Sequence, residues 1–228
     1  MERAAIGILM LETNFPRPLG DIGHLHTWDF PVQKRAVGGA SAQKVVHEDP
    51  RALLDAFIQV GRELVADGCR GLTTSCGFLS LMQDELKDAL GVPFASSSLM
   101  QIPMIEAMLP TNQEVGVLTI SKDSLRAEHL QAAGARGDVP IEGLPRDGAF
   151  ATAIFDDLPD IDFTSCQTEM SAIAQKLVSK HESVGAIVLE CTNMAPYAAD
   201  IEKLTGLPVY SIVSFLNWFQ AGLAPMRY

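Results

Sequence analysis

The sequence is short of positive charge: 17 Lys and Arg stand against 28 Asp and Glu, a formal net charge of −11 over 228 residues. A surface that acidic repels phosphate backbones and anionic headgroups, so neither nucleic acid nor a membrane is expected as a partner. No apolar run approaches the roughly 18 residues that span a bilayer. The opening Met1-Glu2-Arg3-Ala4 lacks the basic stretch and long apolar core of a signal peptide, which leads to the expectation of a cytoplasmic protein. Cysteine is scarce too. Cys69, Cys76, Cys166 and Cys191 include no Cys-x-x-Cys pair, so a disulfide scaffold and a structural zinc site are not expected. His24 and His26 have a metal-like spacing but no acidic or sulfur cluster beside them in sequence, and no metal is expected. What the chain has instead is a hydrophobic share of 47% with 20% charged residues, the balance of an ordinary globular protein with a real core.

Strand and helix patterns alternate along the chain. Residues 5–11 form a continuous apolar run of the kind found in buried parallel strands. Residues 12–31 are rich in Pro, Gly and aromatics and read as a long loop, in which Arg17 between two prolines is expected to face solvent. Helical periodicity follows at 50–67, with Asp49 and Pro50 as start signals. Strands are expected at 70–75, 92–96, 115–120, 184–189 and 207–212. Helices are expected from Cys76 to about 90 and over 99–109, 124–133, 163–180, 194–205 and 214–223. Residues 135–160 read as irregular. Such alternation predicts an α/β fold of parallel sheets flanked by helices.

The halves repeat one another. Cys76 and Cys191 each follow a strand and open a helix. Fifteen residues after Cys76 comes Gly91-Val92-Pro93, and fifteen after Cys191 comes Gly206-Leu207-Pro208. Ile6-Gly7-Ile8-Leu9 matches Val115-Gly116-Val117-Leu118. The repeat predicts two pseudo-symmetric lobes with the active site in the cleft between them. In open α/β sheets ligands bind beyond the carboxyl ends of the strands, where both cysteines fall. A thiol at a helix start is expected to be more acidic than the ordinary ~8.5. Two thiols flanking one carbon could take a proton from one face and return one to the other, which is racemisation or epimerisation without a cofactor.

These residues resemble the aspartate/glutamate/hydantoin racemase superfamily, cofactor-independent enzymes with a pseudo-symmetric cysteine pair. The resemblance covers essentially the whole chain. It is carried by Leu189-Glu190-Cys191-Thr192-Asn193-Met194-Ala195-Pro196-Tyr197 with Thr205-Gly206-Leu207-Pro208-Val209, and by Thr73-Thr74-Ser75-Cys76-Gly77-Phe78 in the first half. It implies one lobe of residues 1–98 plus 210–228 and another of 99–209. The implied activity is racemisation or epimerisation of a small amino acid, hydantoin or related carboxylate by two opposed cysteines. The family's amino-acid racemases usually carry Cys-Asn-Thr where this chain has Cys76-Gly77-Phe78, and often Cys-Thr-His where it has Cys191-Thr192-Asn193. Cys-Thr-Asn is similar to the maleate isomerase and arylmalonate decarboxylase branches. Alternatives are therefore a cysteine-dependent cis–trans isomerase or decarboxylase of a small dicarboxylate, or a non-catalytic carboxylate binder.

The expected site comprises Cys76 and Cys191 as catalytic groups and Asn14, Gly77, Phe78, Thr119, Ser121, Thr192 and Asn193 as substrate-binding residues. A small carboxylate is the expected partner, no cofactor is expected, and a homo-oligomer is left open. Glu190 is open between orienting the thiol and bonding within the lobe interface. Matching cysteine positions also predict mirror-image stereochemical preferences for Cys76→Ser and Cys191→Ser.

Overall fold

The computed structural model describes residues 5–227; the Met1–Ala4 lead-in lies outside them. The first sheet is built from β1 (Ile6–Leu11), β2 (Val32–Val37), β3 (Gly71–Thr74) and β4 (Phe94–Ala95), in the order β2-β1-β3-β4. The second contains β5 (Glu114–Thr119), β6 (Ile141–Gly143), β7 (Val184–Leu189) and β8 (Val209–Tyr210), in the order β6-β5-β7-β8. Every pairing is parallel. The two orders are the same pattern, so the repeat seen in sequence is a repeat of topology. β7 is buried along its whole length and β1 at all but Met10, because helices cover both faces of a parallel sheet.

The helices are α1 (Ala42–His47), α2 (Leu54–Ala66), α3 (Gln83–Leu90) and α4 (Ile102–Glu106), then α5 (Ala127–Ala132), α6 (Ala149–Phe155), α7 (Phe163–Lys180), α8 (Ala198–Thr205) and α9 (Ile212–Leu223). α3 and α8 both end on a left-handed glycine, Gly91 at φ 64° and Gly206 at φ 70°, a conformation that glycine adopts without a Cβ penalty. α9 returns to the first sheet, where Ile212, Phe215 and Leu216 pack with Ile6, Ile8, Ile22, Trp28 and Ala95. A second, larger apolar cluster runs through both sheets without a break. Polar bonds stitch the lobes at the strand ends: Ser98 Oγ donates to the Leu189 carbonyl at 2.6 Å, and Thr192 Oγ1 to the Ser75 carbonyl at 2.7 Å.

Four elements depart from the sequence reading. β2 and α1 were not expected, and β6 and α6 lie in the stretch read as irregular. β2 is half-exposed and polar, β6 has three residues, and α1 and α6 have six and seven, so none carries a full apolar period. The segments after the cysteines also differ. Gly77–Met82 and Thr192–Tyr197 are 3-10 turns that pass into α3 and α8, not α-helices from their first residue.

Candidate active site

β3 and β7 deliver Cys76 and Cys191 to the carboxyl edges of their sheets, each thiol sitting just before its 3-10 turn. Both are buried, and both line one cavity of about 20 Å³ between the lobes. A space of that size holds about one water. Its walls are mainly apolar, with Leu11, Phe15, Val46, Phe78, Ile120, Ile154 and Phe155; its polar lining is Thr13, Arg17, Ser75, Glu190 and Asn193 besides the two thiols.

The loop after β1 forms one wall of the cavity, through Thr13, Phe15 and Arg17. Asp21 is buried and holds the loop's polar chain together. Its carboxylate accepts from Arg17 Nη1 at 2.8 Å, from the Gly23 N–H at 2.7 Å and from Asn193 Nδ2 at 2.6 Å. Arg17 also donates to Thr13 Oγ1 at 2.8 Å and lies over the Phe15 ring. Only 14% of its side chain is exposed, so the expectation of a solvent-facing arginine is corrected: the buried Asp21 draws it inward. On the other side Cys191 Sγ donates to Asn193 Oδ1 at 3.6 Å. A continuous polar path thus runs from the thiol of one lobe to the loop of the other. The loop is pinned outside by Asp157, whose carboxylate accepts from the Asn14 and Phe15 N–H groups at 2.6 and 3.0 Å and from Asn14 Nδ2 at 2.8 Å. Asp157 holds a left-handed backbone at φ 51°, uncommon for a residue with a side chain.

Of the residues expected to form the site, Cys76, Phe78, Cys191 and Asn193 line the cavity. The others do not line it. Asn14 is engaged by Asp157, and Thr192 by Ser75 of the facing lobe. Ser121 Oγ bonds Ser124 Oγ at 2.9 Å. Thr119 Oγ1 donates to Glu190 Oε2 at 2.8 Å. Gly77 makes room: a Cβ there would run into the carboxyl oxygen Oε1 and the carbonyl of Glu190. Thr13, Asp21 and Asp157 escaped the sequence reading and Arg17 was read as facing solvent, because their contacts depend on how a loop without periodicity folds back.

Glu190, left open between two roles by the sequence, bonds within its own lobe and lines the cavity. It is fully buried, Oε1 has no hydrogen-bond partner among the described residues, and burial pushes its carboxyl up to about 7 against the donors Thr119 Oγ1 and Ile120 N–H. The thiols do not follow the expectation of increased acidity. Burial raises Cys76, and the adjacent Glu190 raises it further; the Phe78 and Leu79 N–H groups offset only part. Cys191 is raised by burial, by Glu190 and by Cys76 and Asp21, against one N–H from Asn193. The physical reason is desolvation: a short 3-10 turn offers few amides, and water is shut out.

No family model matches the chain. Among curated proteins it is similar to dimethylsulfoniopropionate lyase 7 of Emiliania huxleyi, 28% identical over 235 residues, spanning 97% of this chain and 68% of that protein. A dimethylsulfoniopropionate lyase of Durusdinium sp. clade D is 26% identical over 234 residues, spanning 97% of this chain and 76% of that protein. Among solved structures, a glycine-to-cysteine variant of arylmalonate decarboxylase superposes with a TM-score of 0.65 at 18% identity, covering 96% of this chain and 92% of that one. A glutamate racemase of Bacillus anthracis gives 0.62 at 12%, covering 99% and 85%. The two-lobed fold is therefore the one these decarboxylase and racemase structures share.

Proposed function

We propose that this protein is an enzyme of the aspartate/glutamate/hydantoin racemase superfamily that removes the proton from the carbon beside a small substrate's carboxylate, with Cys76 and Cys191 as acid–base groups and without a cofactor. The observation that carries this reading is the meeting of two cysteines, from equivalent points of two like-ordered sheets, in one cavity. A carbon acid of this kind needs a base at the carbon and donors for the charge that builds on the carboxylate as the enediolate forms. The cavity's apolar walls keep water from that charge.

The fate of the enediolate sets the reaction class. In racemisation the second thiol returns a proton to the opposite face. In elimination the electron pair of the broken C–H bond becomes the double bond, and the β-substituent leaves with its own bonding pair. The names of the curated relatives favour elimination: a β-sulfonium carboxylate would give acrylate and dimethyl sulfide, with the proton left on the base. Phe15, Phe78 and Phe155 suit such a substrate, because aromatic faces attract a sulfonium cation as they do other onium ions. Decarboxylation of a malonate reaches the same enediolate by loss of carbon dioxide.

Incubation in deuterated water with amino acids, hydantoins, small dicarboxylates and dimethylsulfoniopropionate tests the reading. The expected result is deuterium at the carbon beside the carboxylate, or acrylate and dimethyl sulfide, lost in the Cys76→Ser/Cys191→Ser double variant. Turnover undiminished in that variant, or binding of the panel with no chemistry on any member, would point instead to a site that does not use the thiols or to a non-catalytic binder.

A further inference from the structure

The residue before each cysteine has the same structural task. In the first lobe Ser75 Oγ accepts the Leu11 N–H at the end of β1, at 2.8 Å. In the second, Glu190 Oε2 accepts from Thr119 Oγ1 at the end of β5, at 2.8 Å, with the Ile120 N–H beside the carboxyl. One oxygen suffices for that task, as Ser75 demonstrates. Glu190 has a second, Oε1, which is buried without a partner among the described residues, on a side chain that lines the cavity. An orphaned oxygen on a fully buried carboxyl is costly unless a ligand completes it. Gly77 keeps the space that this oxygen occupies.

We propose that Glu190 is a catalytic residue that touches the substrate: as a carboxylic acid it donates its Oε1–H to the substrate carboxylate and to the enediolate formed from it. This rests on the function proposed above. The proton of the substrate C–H bond goes to a cysteine thiolate, its electron pair enters the enediolate, and Glu190 shares its proton without losing it. A hydrogen bond to an oxygen gaining charge tightens during the reaction, which is how such a donor accelerates it. The acid form is available because burial holds the carboxyl near 7. The titratable and charged groups around Glu190 are Cys76 and Cys191, with Arg17 and Asp21 across the cavity. The thiols titrate far higher, and Arg17 is held on Asp21. His129 packs on Phe78, lines a different pocket and is pushed down to about 4 by burial and Arg126, so a bend in the profile near 7 belongs to Glu190.

The test is the pH profile of turnover, on the substrate the deuterium panel selects, for the wild type, Glu190→Gln and Glu190→Ala. The reacting state has the carboxyl protonated and one thiol ionised, and the thiols titrate far above Glu190, so wild-type activity is expected to rise to about 7 and level off above it. Glu190→Gln, whose amide donates at every pH, should keep activity within about tenfold at pH 7 and go on rising above it; Glu190→Ala should lose roughly a hundredfold or more. A Glu190→Gln profile that still levels off near 7 overturns the proposal. So does a Glu190→Gln variant that is dead at every pH, the mark of an ionised base. A wild type silent on the whole panel defeats the parent reading, and malonate binding then decides this one. Titration calorimetry at pH 8 in buffers of different ionisation enthalpy should show uptake of up to about one proton per malonate in the wild type and none in Glu190→Gln. No uptake in the wild type, with or without binding, overturns the proposal.

Discussion

The two lobes share a strand order, a cysteine at the same point and a left-handed glycine fifteen residues on, yet the residues touching the thiols differ. Cys76 is preceded by Ser75 and followed by Gly77 and Phe78. Cys191 is preceded by Glu190 and followed by Thr192 and Asn193. The surroundings divide accordingly: Phe78 gives Cys76 an apolar wall, whereas Asn193 and Asp21 tie Cys191 to the loop of the opposite lobe. The scaffold repeats because each half solves the same packing problem. The chemistry does not repeat, because two sites facing one substrate need not do the same work. Matching positions alone predict mirrored cysteine variants; the unequal surroundings predict unequal ones.

The largest effect expected is from the thiols themselves. Cys191→Ser should lower turnover by about 10²–10⁴, the scale of a removed acid–base group. Cys76→Ser should lower it at least about tenfold less, since elimination needs one base and racemisation two. Initial rates of both variants check this, and equal losses with opposite stereochemical preference would restore the symmetric, racemising picture.

A pH-dependent stability difference should separate Glu190 from Ser75. The folded-state carboxyl lies at about 7, above its ordinary value, so its contribution is fully present below about 4.5 and lost as pH rises through 7. At about 1.4 kcal/mol per unit, roughly 3 kcal/mol is at stake. Melting of Glu190→Gln relative to wild type should therefore shift in the variant's favour between pH 5 and pH 8. A constant difference would mean that Glu190 does not titrate there.

Much of this was legible from residues alone. The fold class followed from alternating apolar runs, and α7 and β7 fall where periodicity places them. The cysteine pair followed from the repeat. What could not be read was set by contacts between distant segments. Glu190 could not be resolved into a cap for β5 and a free oxygen until Thr119, Ile120 and Gly77 were in place around it. Arg17 looks solvent-facing until Asp21 is found buried beside it. Thiol acidity was misjudged because a helix start is visible in sequence and the closure that strips water from it is not.

Gly77 and Thr192 occupy equivalent positions and should respond differently. In Gly77→Ala the new Cβ meets the Glu190 carboxyl and carbonyl, costing about 1–3 kcal/mol as overpacking. Thr192→Ala removes one bond to Ser75, worth about 1 kcal/mol. Adding Glu190→Ser, the first lobe's own residue, should recover part of the Gly77→Ala loss in denaturant titration and none of the Thr192→Ala loss. Identical responses at the two positions would contradict this steric pairing of Gly77 with Glu190.

The smallest effect concerns access. Asp157→Ala releases the Asn14 and Phe15 amides and should open the loop more often, so iodoacetamide should label Cys76 and Cys191 a few-fold faster, with Cys69 and Cys166 unchanged as internal references. Uniform acceleration of all four would mean general loosening in place of a latch.

The central claim is that one substrate carbon lies between two thiols from two lobes. A crystal structure with malonate bound tests it most directly. The account predicts the ligand's central carbon between Cys76 Sγ and Cys191 Sγ, with the sulfurs about 7–8 Å apart, two near-attack contacts across one tetrahedral centre. A ligand outside the cavity, or one touching a single sulfur with the other turned into the core, would contradict it.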